Sequence, residues 1–192
     1  MTDAMQISSG GGAHQLSRTS VISKIAGLIA AAVVAWLLTV LFDLAPTVLS
    51  MARPTPYSPH PDQLRNVVTL YAVFGLPVAL VFVLAAGYPA WRRWERLGRT
   101  HRRDAIWLGA ISGLLLGLAL GGVIFLNGVQ MRLDPHSSAN SWSYGYQMVS
   151  DGMPTALGWA FQIFDLALTT VTGAAAGLAA WQTAWLMEAR RR

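Results

Sequence analysis

Four stretches of this chain, 21–45, 67–90, 105–127 and 157–185, are almost wholly apolar. Each exceeds the roughly 20 residues that carry an α-helix across the hydrocarbon core of a bilayer. None has the strict alternation of a membrane strand, and in lipid only helices and closed barrels satisfy every backbone donor and acceptor. The sequence therefore predicts an all-α integral membrane protein, a bundle of four transmembrane helices. Composition agrees: 12% of the 192 residues are charged, against roughly 25% in soluble domains, and the mean hydropathy is +0.43.

The polar segments between the runs set the expected organisation. Residues 1–20, rich in Gly and Ser and without period, read as a disordered tail. Residues 21–192 read as one membrane domain with outer loops 46–66 and 128–156 and an inner loop 91–104. Basic residues are divided unevenly. Arg18, Lys24, Arg92, Arg93, Arg96, Arg99, Arg102, Arg103 and Arg190 to Arg192 fall on one side, eleven in all. Arg53, Arg65 and Arg132 fall on the other. The positive-inside rule then predicts both termini and loop 91–104 in the cytoplasm, N-in and C-in. Trp91, Trp94, Trp107, Trp181 and Trp185 fall at the same end, as an inner aromatic belt would, with Trp142 and Trp159 near the outer one. Topology accounts for the net charge of +5, so no nucleic acid is expected; the expected partner is the bilayer. Heavy use of Ala, Gly and Arg with a single Lys points to a bacterial, and hence inner-membrane, setting. A cleaved signal peptide is the lesser reading of the first run, whose apolar core exceeds the usual h-region of about 7–15 residues.

Loop 46–66, with Pro46, Pro54, Pro56, Pro59 and Pro61, is expected to be extended and to lack a continuous helix. Loop 128–156 reads as an interfacial loop, with a lid over the outer mouth as the alternative. The second run carries Gly75 and Pro77, which predict a kink. Two heptapeptides, 85–91 (AAGYPAW) and 175–181 (AAGLAAW), share five residues. They fit a duplicated two-helix hairpin or coincidence equally well.

The third run places Gly109, Gly113, Gly117 and Gly121 four residues apart, on one helix face. Helices in lipid gain little from apolar burial, so close backbone approach across small residues supplies dispersion contact instead. Thr169, Gly173 and Gly177 offer a matching row in the fourth run, and Gly27, Ala31 and Ala35 another in the first. The expected result is a packing seam between helices three and four. Pairing with helix one or with a second copy is the alternative, and a glycine-lined pore a remote one.

Few polar groups enter the runs. Asp165 lies eight residues into the fourth, about 12 Å of helix rise. An ionisable group at that depth is a functional-site candidate by default. Its spacing from Thr169, Gly173 and Gly177 suggests that it faces the seam. Gln162, Asp43, Asn127 and Tyr71 fall at similar or shallower depth and could complete a polar layer. The structural reading of Asp165 is a hydrogen bond across helices, or a pair with a snorkelling Arg65 or Arg132. The functional one is a proton, cation or ligand site.

No catalytic constellation is present, so no enzyme is expected, and no cofactor. There is no cysteine. His14, His60, His101 and His136 fall in four separate polar segments. His60 and His136, with Asp62 and Asp134, read as solvated residues, and no metal is expected. Small multidrug transporters share the four-helix count, but here the first run has no glutamate and the loops are much longer. The leading expectation is a scaffold or accessory subunit of a membrane assembly, self-associated or in a larger complex. The alternative is a small transporter or ion-coupled permease centred on Asp165.

Overall fold

The computed structural model describes residues 20–52, 61–99, 101–133, 140–143 and 146–191. Helix α1 runs Val21–Ala52. A second helical rod follows: α2 (Pro61–Leu70), a π-helical turn Tyr71–Gly75, α3 (Leu76–Phe82), a second π turn Val83–Gly87, and α4 (Tyr88–Arg96). Then come α5 (Arg102–Leu133), three strands β1 (Ser141–Ser143), β2 (Tyr146–Ser150) and β3 (Met153–Pro154), and α6 (Ala156–Ala189). Four helical segments, Val21–Ala45, Arg65–Arg96, Arg102–Leu133 and Ala156–Ala189, are long and apolar enough to cross a membrane. These are the features of a multi-pass membrane protein.

The loops are shorter than expected. Helix α1 continues through Pro46 to Ala52, and α2 opens at Pro61. The helix thus tolerates the N–H that Pro46 lacks, while Pro61 stands at a helix start, where the missing donor costs nothing. Pro54, Pro56 and Pro59 lie outside the described residues, as does tail 1–19. The 91–104 segment shrinks to a turn after α4, with Gly98 at φ +71°, a conformation glycine adopts without strain.

The second rod does not break at Gly75–Pro77. It absorbs the proline in a π turn, and again ahead of Pro89. Each turn ends in Gly-X-Pro (75–77 and 87–89). A proline cannot donate to the carbonyl four residues back, and a π-bulge is one local way to adjust the ladder. At the first turn the Trp36 indole N–H donates to the Tyr71 carbonyl at 2.9 Å. Gly75 leaves room for that ring: a Cβ there would lie 3.3 Å from Trp36 Nε1.

The helices lie side by side rather than all around one axis. Helix α6 sits between α1 and α5, and the second rod lies along α1. Among the described residues helix α5 makes no comparable contact with α1, nor the second rod with α5 or α6. The core between α1 and α6 is made of small residues: Ala31, Ala32, Ala176, Ala180 and Ala184 are buried, with Leu28 among them. At Gly27 a Cβ would stand 2.6 Å from the Ala180 carbonyl oxygen. Such proximity gives the dispersion contact that lipid does not provide.

Helices α5 and α6 approach still more closely. A Cβ on Gly109 would overlap the Gly173 carbonyl oxygen, and one on Gly113 the Thr169 carbonyl oxygen. On Gly117 it would lie 2.8 Å from Leu166 Cδ1. The approach ends there: at Gly121 and Gly122 nothing lies within 4 Å. In the paired heptapeptides, Gly87 faces Leu28 of α1, and Gly177 faces Ala105 of α5. Each therefore meets the helix that precedes its own.

Segment 128–156 holds structure the sequence reading did not anticipate. Helix α5 extends to Leu133, and the strands form an antiparallel sheet in the order β1-β2-β3. One sequence signal marks it, the Asp151-Gly152 pair, a hairpin turn with φ of 48° and 79°.

A candidate site beneath the hairpin

The sheet is fastened to both α5 and α6. At α6 the Thr155 side chain caps the helix, accepting from the Gly158 N–H at 3.1 Å. The same hydroxyl is 2.8 Å from the Gln147 carbonyl and 3.2 Å from that of Met148. The Thr155 N–H also donates to Met148 O at 2.9 Å. At α5 the hairpin turn meets the helix backbone to backbone, Gly152 against Gly128, with no room for a side chain at either. Asn140 Oδ1 accepts the Asp151 N–H at 3.1 Å and holds the turn from within. Below, Phe125 and Trp159 bring their rings to 5.9 Å across the two helices.

Beneath this roof the face of α6 opens. A cleft of about 210 Å³ is lined by Met148, Val149 and Pro154 of the sheet region and by Gly158, Phe161, Gln162 and Asp165 of α6. Two of the sequence-predicted polar residues, Gln162 and Asp165, therefore share one cleft. Asp165 is exposed within the chain. Among the described residues no hydrogen bond reaches its carboxylate.

Asp165 does not lie in the glycine contact with α5, where the sequence reading put it. It precedes Thr172 by seven residues, two helical turns. That places it on the column Thr172, Ala176, Ala180 and Ala184, which is buried and whose alanines pack with α1. The helix positions agree. Gly27 faces Ala180; sixteen residues along α1 stands Asp43, and sixteen back along antiparallel α6 stands Phe164, next to Asp165. Asp43 is accordingly close enough to act electrostatically on Asp165. Its Oδ2 accepts the Tyr71 hydroxyl at 2.6 Å. So Asp43, Tyr71, Gln162 and Asp165 occupy one level. Asn127 is exposed on α5 and joins no hydrogen bond among the described residues.

The opposite end, where the described termini meet, is tied by polar groups. Glu188 Oε1 accepts the Ser20 N–H at 2.8 Å and the Ser23 hydroxyl at 2.9 Å. Arg191 donates to Ser20 Oγ at 2.8 Å. Ser20, assigned to the tail from sequence, is thus held by α6. Beside it Lys24 of α1 pairs with Glu95 of α4, their side chains only 11% and 13% exposed. Arg99 stands 5.0 Å from the Trp94 ring centre, and Trp181 stacks with Trp185 at 6.3 Å. The Lys24–Glu95 and Ser23–Glu188 pairs were not legible in the sequence, because their partners stand 71 and 165 residues apart. Among the described residues no group of three or more His, Asp or Glu gathers as a metal site would require. His14, His60 and His136 lie outside those residues.

No protein-family model, curated protein or solved structure matches the chain.

Proposed function

We propose that this chain is a non-enzymatic, multi-pass protein of the bacterial inner membrane that serves as a scaffold or accessory subunit of a membrane assembly. The observation that carries the reading is the side-by-side order of the helices, in which the second rod lies chiefly along α1 and, among the described residues, has no comparable contact with α5 or α6. Its Val73, Phe74, Val78, Val81 and Phe82 are more than half exposed. A second copy or a different membrane protein would complete that open side. The contact of Gly109, Gly113 and Gly117 with α6 serves as an internal packing seam that keeps one half of the chain rigid. Both termini and the 91–104 segment face the cytoplasm, by the arginine distribution.

Purification in mild detergent tests the assembly. The expected result is a particle larger than one 20.7 kDa chain, with a stoichiometric protein partner or a second copy. Recovery as a lone monomer from native membranes would overturn it. Reporter fusions test the orientation: the C-terminus should read cytoplasmic, and residues 141–153 external.

A second reading is supported by the cleft itself. A small permease would need an intramembrane polar group reachable from one face, as Asp165 is. Loss of a transport phenotype in an Asp165→Asn strain, with the protein still folded, would favour that reading over the scaffold.

A further inference from the structure

We propose that the cleft beneath the hairpin binds a small organic ammonium ion with an apolar body. The inference names a ligand class for the site of the second reading, and it holds or fails whether or not anything is transported.

Three observations fix the class. The charge comes first. Asp165 receives no hydrogen bond from the described residues, and its charged neighbour is a second carboxylate, Asp43. The ion pair among the described residues lies at the far end of the molecule, between Lys24 and Glu95. A carboxylate that lines a cleft with no donor of its own is best satisfied by a cation that donates hydrogen bonds.

The walls come second. Met148, Val149, Pro154, Gly158 and Phe161 make the wall mostly apolar, and the polar side chains of the cleft are Gln162 and Asp165. A bare Ca²⁺ would need about six to eight oxygen ligands, and Mg²⁺ a near-octahedral shell. Asp165 and Gln162 bring at most three side-chain oxygens, so most of either shell would fall to backbone carbonyls and water. An ammonium group on an apolar body instead matches both surfaces, with the cation at Asp165 and Gln162 and the carbon part on the wall. Phe161 can add a cation–π or apolar contact.

Size and rigidity come third. The cleft holds about 210 Å³, the share of roughly seven waters, so the body is small. Its roof is fixed by Thr155, Gly158 and the Gly128–Gly152 contact, so little ordering is needed on binding.

Equilibrium binding to the full chain in detergent, with 2-phenylethylamine and its neutral near-isostere 2-phenylethanol, tests the inference. The expected result is saturable binding of the amine, at least tenfold tighter than the alcohol. That comparison needs no variant. In Asp165→Asn the tenfold preference should disappear, while in Asp151→Asn, an acid outside the cleft, it should persist. Phe161→Ala should weaken both probes. Equal binding of the two probes, absence of saturable binding, or an intact preference in a folded Asp165→Asn protein would each overturn the proposal.

The same ammonium chemistry is offered by a free amine and by an ethanolamine lipid headgroup. Discs of phosphatidylglycerol with and without phosphatidylethanolamine separate the two sources. Competition by the ethanolamine lipid assigns the cleft to a headgroup, and unchanged amine affinity assigns it to a soluble amine.

Discussion

Gly113 lies against the backbone of Thr169 with no room for a β-carbon: one placed there would stand 3.1 Å from the Thr169 carbonyl carbon and overlap its oxygen. Gly121, two turns further along the same row, faces open space. Leucine at 113 must push two helix backbones apart and should cost about 2 kcal/mol or more. Leucine at 121 meets nothing and gains helix propensity, up to about 1 kcal/mol, so it should be neutral or stabilising. Unfolding midpoints of Gly113→Leu and Gly121→Leu in the same detergent check this. Equal losses would mean that the row acts as a uniform stripe against something outside the chain.

Lys24 and Glu95 form a largely buried pair between α1 and α4. Removing one partner leaves the other charge sheltered without its counter-ion, a loss of about 3–5 kcal/mol for fully buried pairs. The residual exposure of both side chains argues for a loss below that range. Glu95→Ala should therefore destabilise by ~2 kcal/mol. The double variant Lys24→Met, Glu95→Leu should recover most of that, because it removes both desolvation costs. A double variant as weak as the single one would show that the charges themselves hold the second rod in place. Chemical unfolding of the three proteins decides the matter.

Thr155 links the hairpin to α6 through one hydroxyl, which meets Gly158 N and the carbonyls of Gln147 and Met148. Thr155→Val keeps the shape and removes the cap, at a cost of about 1–2 kcal/mol. The effect should be local. Amide exchange should accelerate at Gly158 and in β2, with little change at Ala176 or Ala180 in the core. Thr155→Ser should restore protection. Unchanged exchange in the valine variant would place the hold on the sheet in the Gly128–Gly152 contact instead.

The four apolar runs were legible because membrane crossing is written in length and composition, which act residue by residue. What depends on pairs of distant residues was not. The period of the glycine row is the same from Gly109 to Gly121, yet nothing in it tells that the helices part after Gly117. A straight four-residue line from Asp165 runs to Gly173, whereas the real helix winds 3.6 residues per turn. Over two turns that drift carries Asp165 to the α1 side, beside Asp43. The sheet was missed for a different reason: its strands are two to five residues long, too short for alternation to outweigh the polar, loop-like composition around them. The Gly-X-Pro sequences did mark where the second rod departs from an α-helix, but proline alone does not distinguish a kink from a π turn.

Asp165 offers the sharpest test of what the cleft is for. A structural carboxylate would be bonded across helices, and its loss would leave a donor unsatisfied, costing about 1–3 kcal/mol. Here no donor among the described residues reaches it. Asp165→Asn should then leave stability within about 0.5 kcal/mol of the parent. Asp165→Leu should be neutral or stabilising, because it removes an ionisable group from a membrane-spanning helix. Both variants should retain the unfolding midpoint in detergent while losing the preference for an ammonium probe. A leucine variant that loses ~2 kcal/mol would make Asp165 a structural tie and leave the cleft without its charged end. A leucine variant at least as stable as the parent would mean that the carboxylate contributes nothing to the fold, as expected of a group that meets a ligand.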